Sequence, residues 1–234
     1  MTSTDGYRRE DDGAHPPHLS EAYASTALRS PKQPLVRLPH TLTEIHGPAG
    51  GGAQLFGPAM ADLTRQHGGE PLGQRIIVAG RVRDEDGRPV PGAMIEIWQA
   101  NAAGRYIHAR DQWNAPIDPN FTGMGRVITD EAGRYSFTSI RPGAYPWGNH
   151  PNAWRPAHIH LSLLGPAFAT RLVTQMYFEG DPLIALDPIA QAVPADARER
   201  LVARFDLSLT EPSHALGYAF DIVLRGRDAT PMEP

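Results

Sequence analysis

Cysteine is absent from all 234 residues. That excludes disulfides, iron–sulfur clusters, thiolate zinc sites and cysteine nucleophiles, and it fits a cytoplasmic protein. Any metal ion must be held by nitrogen and oxygen donors from His, Asp, Glu or Tyr. No run approaches the ~18 apolar residues of a membrane span. Positive charge is not in excess: 22 Lys and Arg face 26 Asp and Glu, a net charge of −4. The chain therefore carries no basic footprint for nucleic acid. Residues 1–20 are polar, rich in charge, proline and histidine, and lack the apolar segment of a secretory signal. They read as a loose tail.

What is present is turn chemistry. Glycine and proline number 23 each, well above their usual share, and they are spread along the chain as turns between short strands require. Residues 21–74 read as an extended arm lying over the domain or over a partner chain, with one or two helical turns at 57–68. Residues 75–234 read as one domain of short strands. Arg75–Arg83 and Val90–Trp98, joined by Asp84-Glu85-Asp86-Gly87, predict a hairpin. Arg126–Thr129 and Arg134–Ile140 repeat that unit around Asp130-Glu131-Ala132-Gly133. His158–Leu164, Arg171–Phe178 and Tyr218–Arg225 add three strands. A helix is expected from Pro194, with Leu201, Val202 and Phe205 as its apolar stripe. The fold class is mainly β, a β-sandwich with long loops and a few short helices.

The chemistry concentrates in Trp154-Arg155-Pro156-Ala157-His158-Ile159-His160. Side chains alternate along a strand, so His158 and His160 share a face. Two imidazoles so placed can grip one metal ion, although spacing alone also fits an exposed sheet face. Nothing surrounds His15, His18, His40, His46, His67 or His214 that would make a ligand of them. No carboxylate lies near the run in sequence, the nearest downstream being Glu179, which argues against a two-histidine-one-carboxylate Fe(II) site. Tyr106 and Tyr145 sit in Gly/Pro-rich loops, where functional residues concentrate; each alone also fits a packed aromatic. A phenol ionises near pH 7 only beside a strong Lewis acid such as Fe(III). Two phenolates, two imidazoles and a hydroxide would balance that ion to zero charge. Such an ion would take a catechol by chelation.

Longer motifs carry a resemblance. They are Ile95-Glu96-Ile97-Trp98-Gln99-Ala100-Asn101, Gly104-Arg105-Tyr106, Asp118-Pro119-Asn120-Phe121, Pro146-Trp147, the histidine run, Thr174-Gln175-Met176-Tyr177-Phe178-Glu179-Gly180-Asp181-Pro182-Leu183, and Phe220-Asp221-Ile222-Val223-Leu224-Arg225-Gly226, with Arg29-Ser30-Pro31 in the arm. From about Tyr23 to Arg227 the chain resembles the intradiol ring-cleaving dioxygenases, and among them the β subunits of the protocatechuate-cleaving branch. The resemblance implies an intradiol-type sandwich holding one non-haem Fe(III) per chain. It implies Tyr106, Tyr145, His158 and His160 as iron ligands, and Tyr145 also as acceptor of a substrate proton. Arg155 is implied as a catalytic positive charge, Gln175 and Trp147 as pocket residues, and Tyr23 as the arm's contact with substrate. The implied reaction is cleavage of protocatechuate by O₂ to 3-carboxy-cis,cis-muconate, in aromatic catabolism through the β-ketoadipate pathway. The implied partner is a homologous α subunit, in αβ units of a larger oligomer. One departure stands out: Gly148 precedes Asn149 where a basic residue is expected. The alternatives are cleavage of catechol or hydroxyquinol, and a non-catalytic transthyretin-like binding module. Bound coloured iron separates the module from the enzymes, and oxygen uptake on a panel of catechols separates the enzymes from one another.

Overall fold

The central strand of one layer buries its inward side chains, Ile159, Leu161 and Leu163. The computed structural model describes residues 12–36, 60–164 and 171–233. Readings that fall on the tail before Asp12, on Arg37, Leu38, His40, His46, Gly50–Gly52 and residues 57–59 lie outside the described residues. Strand β7 (His158–Leu164) sits between β2 (Met94–Gln99) and β8 (Arg171–Phe178), antiparallel to both. Beyond β2 lies β3 (Met124–Ile128). The second layer is β1 (Arg75–Arg83), flanked by β4 (Arg134–Ile140), antiparallel, and β10 (Leu216–Ala219), parallel. Strand β9 (Val202–Phe205) pairs with both β8 and β10 and carries the hydrogen bonding from one layer to the other. Ile95, Ile97, Ile159 and Leu161 of the first layer meet Val78, Tyr135 and Phe137 of the second in one core. That is the mainly β sandwich, with a few short helices, that the strand pattern predicts.

Two expected hairpins are not ladders. The turns form: Asp84 N–H donates to Arg88 O at 2.9 Å, and Asp130 N–H donates to Arg134 O at 3.0 Å. Pairing after the first turn stops at the Arg83–Pro89 bridge and the Val90 N–H to Val82 O bond. β2 then joins the opposite layer. Likewise β3 pairs with β2, while β4 pairs with β1 along its whole length. Each turn hands the chain across the sandwich. Ile76, Val78 and Val82 then face Ile95 and Ile97 through the core, a burial that a two-stranded ribbon exposes to water on one side at least.

Three further differences have local causes. No helix forms over 60–68; Met60 bridges Arg126 and Asp62 bridges Thr138, so Leu63 is driven into the core at 0% exposure. The expected helix after Pro194 is one turn, Ala195–Arg198, and a 3₁₀ turn Glu199–Leu201 follows before β9 takes Val202–Phe205. Its apolar residues serve a strand because open ladder positions lie on β8 and β10. The expected strand Tyr218–Arg225 is broken into β10 and β11 (Ile222–Val223). At the break Phe220 O accepts the Tyr135 hydroxyl at 2.6 Å and presses on Gly80, where a Cβ would come within 1.8 Å of it. Gly80→Ala is expected to lower stability by about 3 kcal/mol, read as a drop in the urea midpoint with unchanged slope, because backbone must move to admit one methyl.

Among the described residues no helix is long and apolar enough to cross a membrane.

Candidate metal centre

The alternation of β7 sorts its side chains. Ile159, Leu161 and Leu163 enter the core, and His158 and His160 emerge on the other face with ring centroids 4.8 Å apart. His160 lies opposite Trp98 on β2 and Gln175 on β8; His158 lies opposite Tyr177. Trp98 stacks on the His160 ring at 4.8 Å with planes 4° apart. The imidazole is thereby held flat against its neighbouring strand.

Both tyrosines arrive from loops fastened to each other. After β2, the Asn101 side chain accepts N–H bonds from Ala103 and Arg105 and donates to Pro116 O, and Asp111 accepts the Tyr106 N–H at 2.8 Å. Gly104, with φ of +76°, lies so close to the other loop that a Cβ would be 2.3 Å from Ala144 O. Only glycine permits both the left-handed turn and this approach. Tyr145 opens the two-residue strand β5 (Tyr145–Pro146), paired with β6 (Trp154–Arg155) so that Tyr145 faces Arg155. The Tyr106 and Tyr145 rings meet edge-on at 5.5 Å.

All four predicted ligands therefore converge. Tyr145 Oη is 3.3 Å from His158 Nε2, and the Tyr106 and His160 ring centroids are 6.4 Å apart. His158 Nδ1 donates to Pro156 O at 2.7 Å. His160 Nδ1 donates to Glu233 Oε2 at 3.1 Å. Each imidazole thus has its Nδ1 engaged behind it and its Nε2 lone pair left for the site. Burial, then Arg155 and then His160, push His158 well below the ordinary histidine range, so it is neutral at pH 7. The Tyr106 hydroxyl is buried without a hydrogen-bond partner. Burial, then the neighbouring Tyr145, hold Tyr106 well above the ordinary phenol range; burial also raises Tyr145, against the opposing pull of Arg155. An orphaned phenol oxygen, a second phenol and two imidazoles are a donor set suited to a ferric ion, which alone here would draw off the phenol protons. Among the described residues no cluster of three or more His, Cys, Asp or Glu could hold a metal; with the two tyrosines, four nitrogen and oxygen donors stand together here.

The remaining predicted residues form the wall beside it. Arg155 is 4% exposed, its Nε 3.0 Å from Asp187 Oδ1 and its Nη2 bonded to Asp187, Tyr177 and Gln175. Burial works against that cation, but Tyr177, Asp187 and Tyr145 hold it above the ordinary arginine range. Its guanidinium lies 5.3 Å from the Trp147 ring centroid. Tyr23 packs edge-on against Trp147 at 5.3 Å. The arm is clasped there by Asn149, whose amide accepts the Ala24 N–H and donates to Ala22 O. Gly148 beside it has open space where a side chain would stand.

Three contributors escaped the sequence reading: Asp187, Tyr177 and Glu233. No carboxylate is near the histidine run in sequence, yet Glu233 reaches His160 from 73 residues away. The Asp187-Pro188 pair does signal a helix cap, and Asp187 does accept the Ile189 N–H. Nothing local tells that the same carboxylate holds Arg155 through both its oxygens.

Comparison with known proteins shows the family. A family model described as dioxygenase matches residues 45–226, and one described as the N-terminal part of the protocatechuate 3,4-dioxygenase β subunit matches residues 7–41. The protocatechuate 3,4-dioxygenase β chain of Burkholderia cepacia is 59% identical over 222 residues, 94% of each chain. The α chain from the same organism is 32% identical over 161 residues, covering 68% of this chain and 76% of that one. The crystal structure of 3-chlorocatechol 1,2-dioxygenase from Rhodococcus opacus superimposes with a TM-score of 0.53 at 28% identity, over 65% of this chain and 60% of that one. With a ferric-type donor set on the second face of β7 and a dioxygenase match over most of its length, this chain belongs to the intradiol dioxygenase family.

Proposed function

We propose that this chain is the iron-bearing β subunit of an αβ oligomer that cleaves protocatechuate with O₂ between its two hydroxylated carbons, giving 3-carboxy-cis,cis-muconate. The convergence of Tyr106, Tyr145, His158 and His160 carries the site assignment. The 59% identity over 94% of the chain supports the substrate and the α partner, as does the matched N-terminal model. A cytoplasmic location belongs to this reading and rests on the lack of cysteine. So does the division into a tail, an arm over 21–74 and a catalytic domain over 75–234.

In this reading the four residues hold one Fe(III), which when bound acts as a Lewis acid and electron sink that makes the chelated ring nucleophilic toward O₂. The chain's own groups do the rest. Tyr145 Oη, beside His158 Nε2 at 3.3 Å, accepts a proton from a substrate hydroxyl. Arg155 keeps a fixed positive charge beside the reacting ring, where negative charge develops. It needs no rearrangement to do so, being clamped by Asp187 and Tyr177. Gln175, bonded to Arg155, orients the ring. Trp147 walls the pocket, and Tyr23 closes it from the arm.

Oxygen uptake by the chain coexpressed with its α partner tests the whole. Protocatechuate is expected to exceed catechol and hydroxyquinol in kcat/KM by more than about tenfold, because groups that pair with the substrate carboxylate would be left unpaired by substrates lacking it. Faster turnover of catechol would overturn the substrate. A colourless, iron-replete protein would overturn the ligands.

A further inference from the structure

The last described residue touches the metal-facing histidine. The tail reaches it along the edge of β8 on backbone bonds and neighbours' side chains: Thr230 N–H to Val223 O at 2.8 Å, Thr174 Oγ1 to Pro231 O at 2.7 Å, Met232 N–H to His15 Nδ1 at 3.1 Å, and Glu233 N–H to Val173 O at 2.9 Å. None of these uses the Glu233 carboxylate. That group is free to act elsewhere, and its Oε2 accepts from both His160 Nδ1 at 3.1 Å and Gln175 Nε2 at 2.9 Å.

Gln175 passes the constraint on. Its Oε1 accepts from Arg155 Nη2, with the Tyr177 hydroxyl oxygen 3.0 Å away. The amide has one workable orientation, because a guanidinium only donates and a carboxylate only accepts. Asp187, Arg155, Gln175, Glu233 and His160 thus form one unbroken polar chain.

We propose that Glu233 is a positioning residue: it fixes the His160 ring with its Nε2 toward the metal and, through Gln175, ties that ring to Arg155. The inference rests on the iron site of the proposed function. It makes the C-terminal tail a working part of that site. A histidine whose outer nitrogen loses its acceptor rotates more freely and binds metal less tightly, typically by about 10–100-fold.

The test uses the full αβ protein. Wild type is first loaded with iron, and its iron loss to excess ferric chelator is timed by the fading of the visible band. Glu233→Ala is expected to lose iron about 10–100-fold faster with its unfolding midpoint unchanged, since the tail stays docked. Gln175→Glu sets two carboxylates face to face and is expected to do likewise. Joining Gln175→Glu to Glu233→Gln exchanges donor and acceptor along the chain; this double variant is expected to hold iron at least ~10-fold longer than Gln175→Glu alone. Iron loss by Glu233→Ala at the wild-type rate overturns the proposal. So does a midpoint that falls in step with iron loss, or a double variant no better than Gln175→Glu. A wild type that takes no iron overturns the metal site itself, a different result from a loaded wild type matched by its variants.

Discussion

His160→Ala is expected to abolish iron binding and visible colour together, with the fold retained. His160 is stacked against Trp98 and backed by Glu233, so its ring is held ready on a fully paired strand. Removing it deletes one of the four proposed protein donors and breaks the geometry of the set. The loss should exceed the ~10–100-fold that disturbing an outer partner costs. The core face of β7, with Ile159, Leu161 and Leu163 buried, is untouched, so circular dichroism should match wild type. Metal analysis and the visible spectrum read the result. Iron bound at wild-type stoichiometry with full colour would remove His160 from the ligands.

The second large effect is at Arg155, and it separates two roles. Arg155→Ala is expected to lower kcat by about 10²–10³-fold, the scale of losing one preorganised electrostatic contact, while most of the iron and colour remain. The same change strands Asp187, which is 0% exposed and keeps only the Tyr177 hydroxyl and the Ile189 N–H. Breaking a buried pair by removing one member costs about 3–5 kcal/mol, so the variant should also unfold at clearly lower denaturant. Arg155→Met with Asp187→Asn removes both charges and should recover much of the stability. It should recover none of the turnover. Full kcat in Arg155→Ala would refute the electrostatic role; recovery of kcat along with stability would reduce Arg155 to a packing residue.

The line between what was legible and what was not follows the range of the forces involved. His158 and His160 were readable as a pair because strand alternation is local. β7 and β8 form with the predicted limits, since their alternating or continuous apolar runs find burial wherever they go. The Asp-x-x-Gly turns were readable too, yet the hairpins they announced were not ladders. Turn chemistry sets the reversal of the chain, whereas pairing partners are chosen by which faces bury together. Pro194–Phe205 shows the same split: a helix start was correctly placed, and two open strand edges then claimed the residues expected to continue it.

The sequence alone determined the kind of chemistry. No cysteine, two histidines on one strand face, two loop tyrosines and the surrounding motifs identified the family and the class of reaction, and singled out the candidate donor atoms. Tertiary structure alone decided what holds those atoms in place. Asp187 behind Arg155, Glu233 behind His160 and Asn149 behind the arm lie 32, 73 and more than a hundred residues from what they hold. A ligand is dictated by residue type and local spacing; its support is any group the folded chain delivers at about 3 Å with the opposite polarity. Distance along the chain does not enter that condition, so sequence order carries no trace of it.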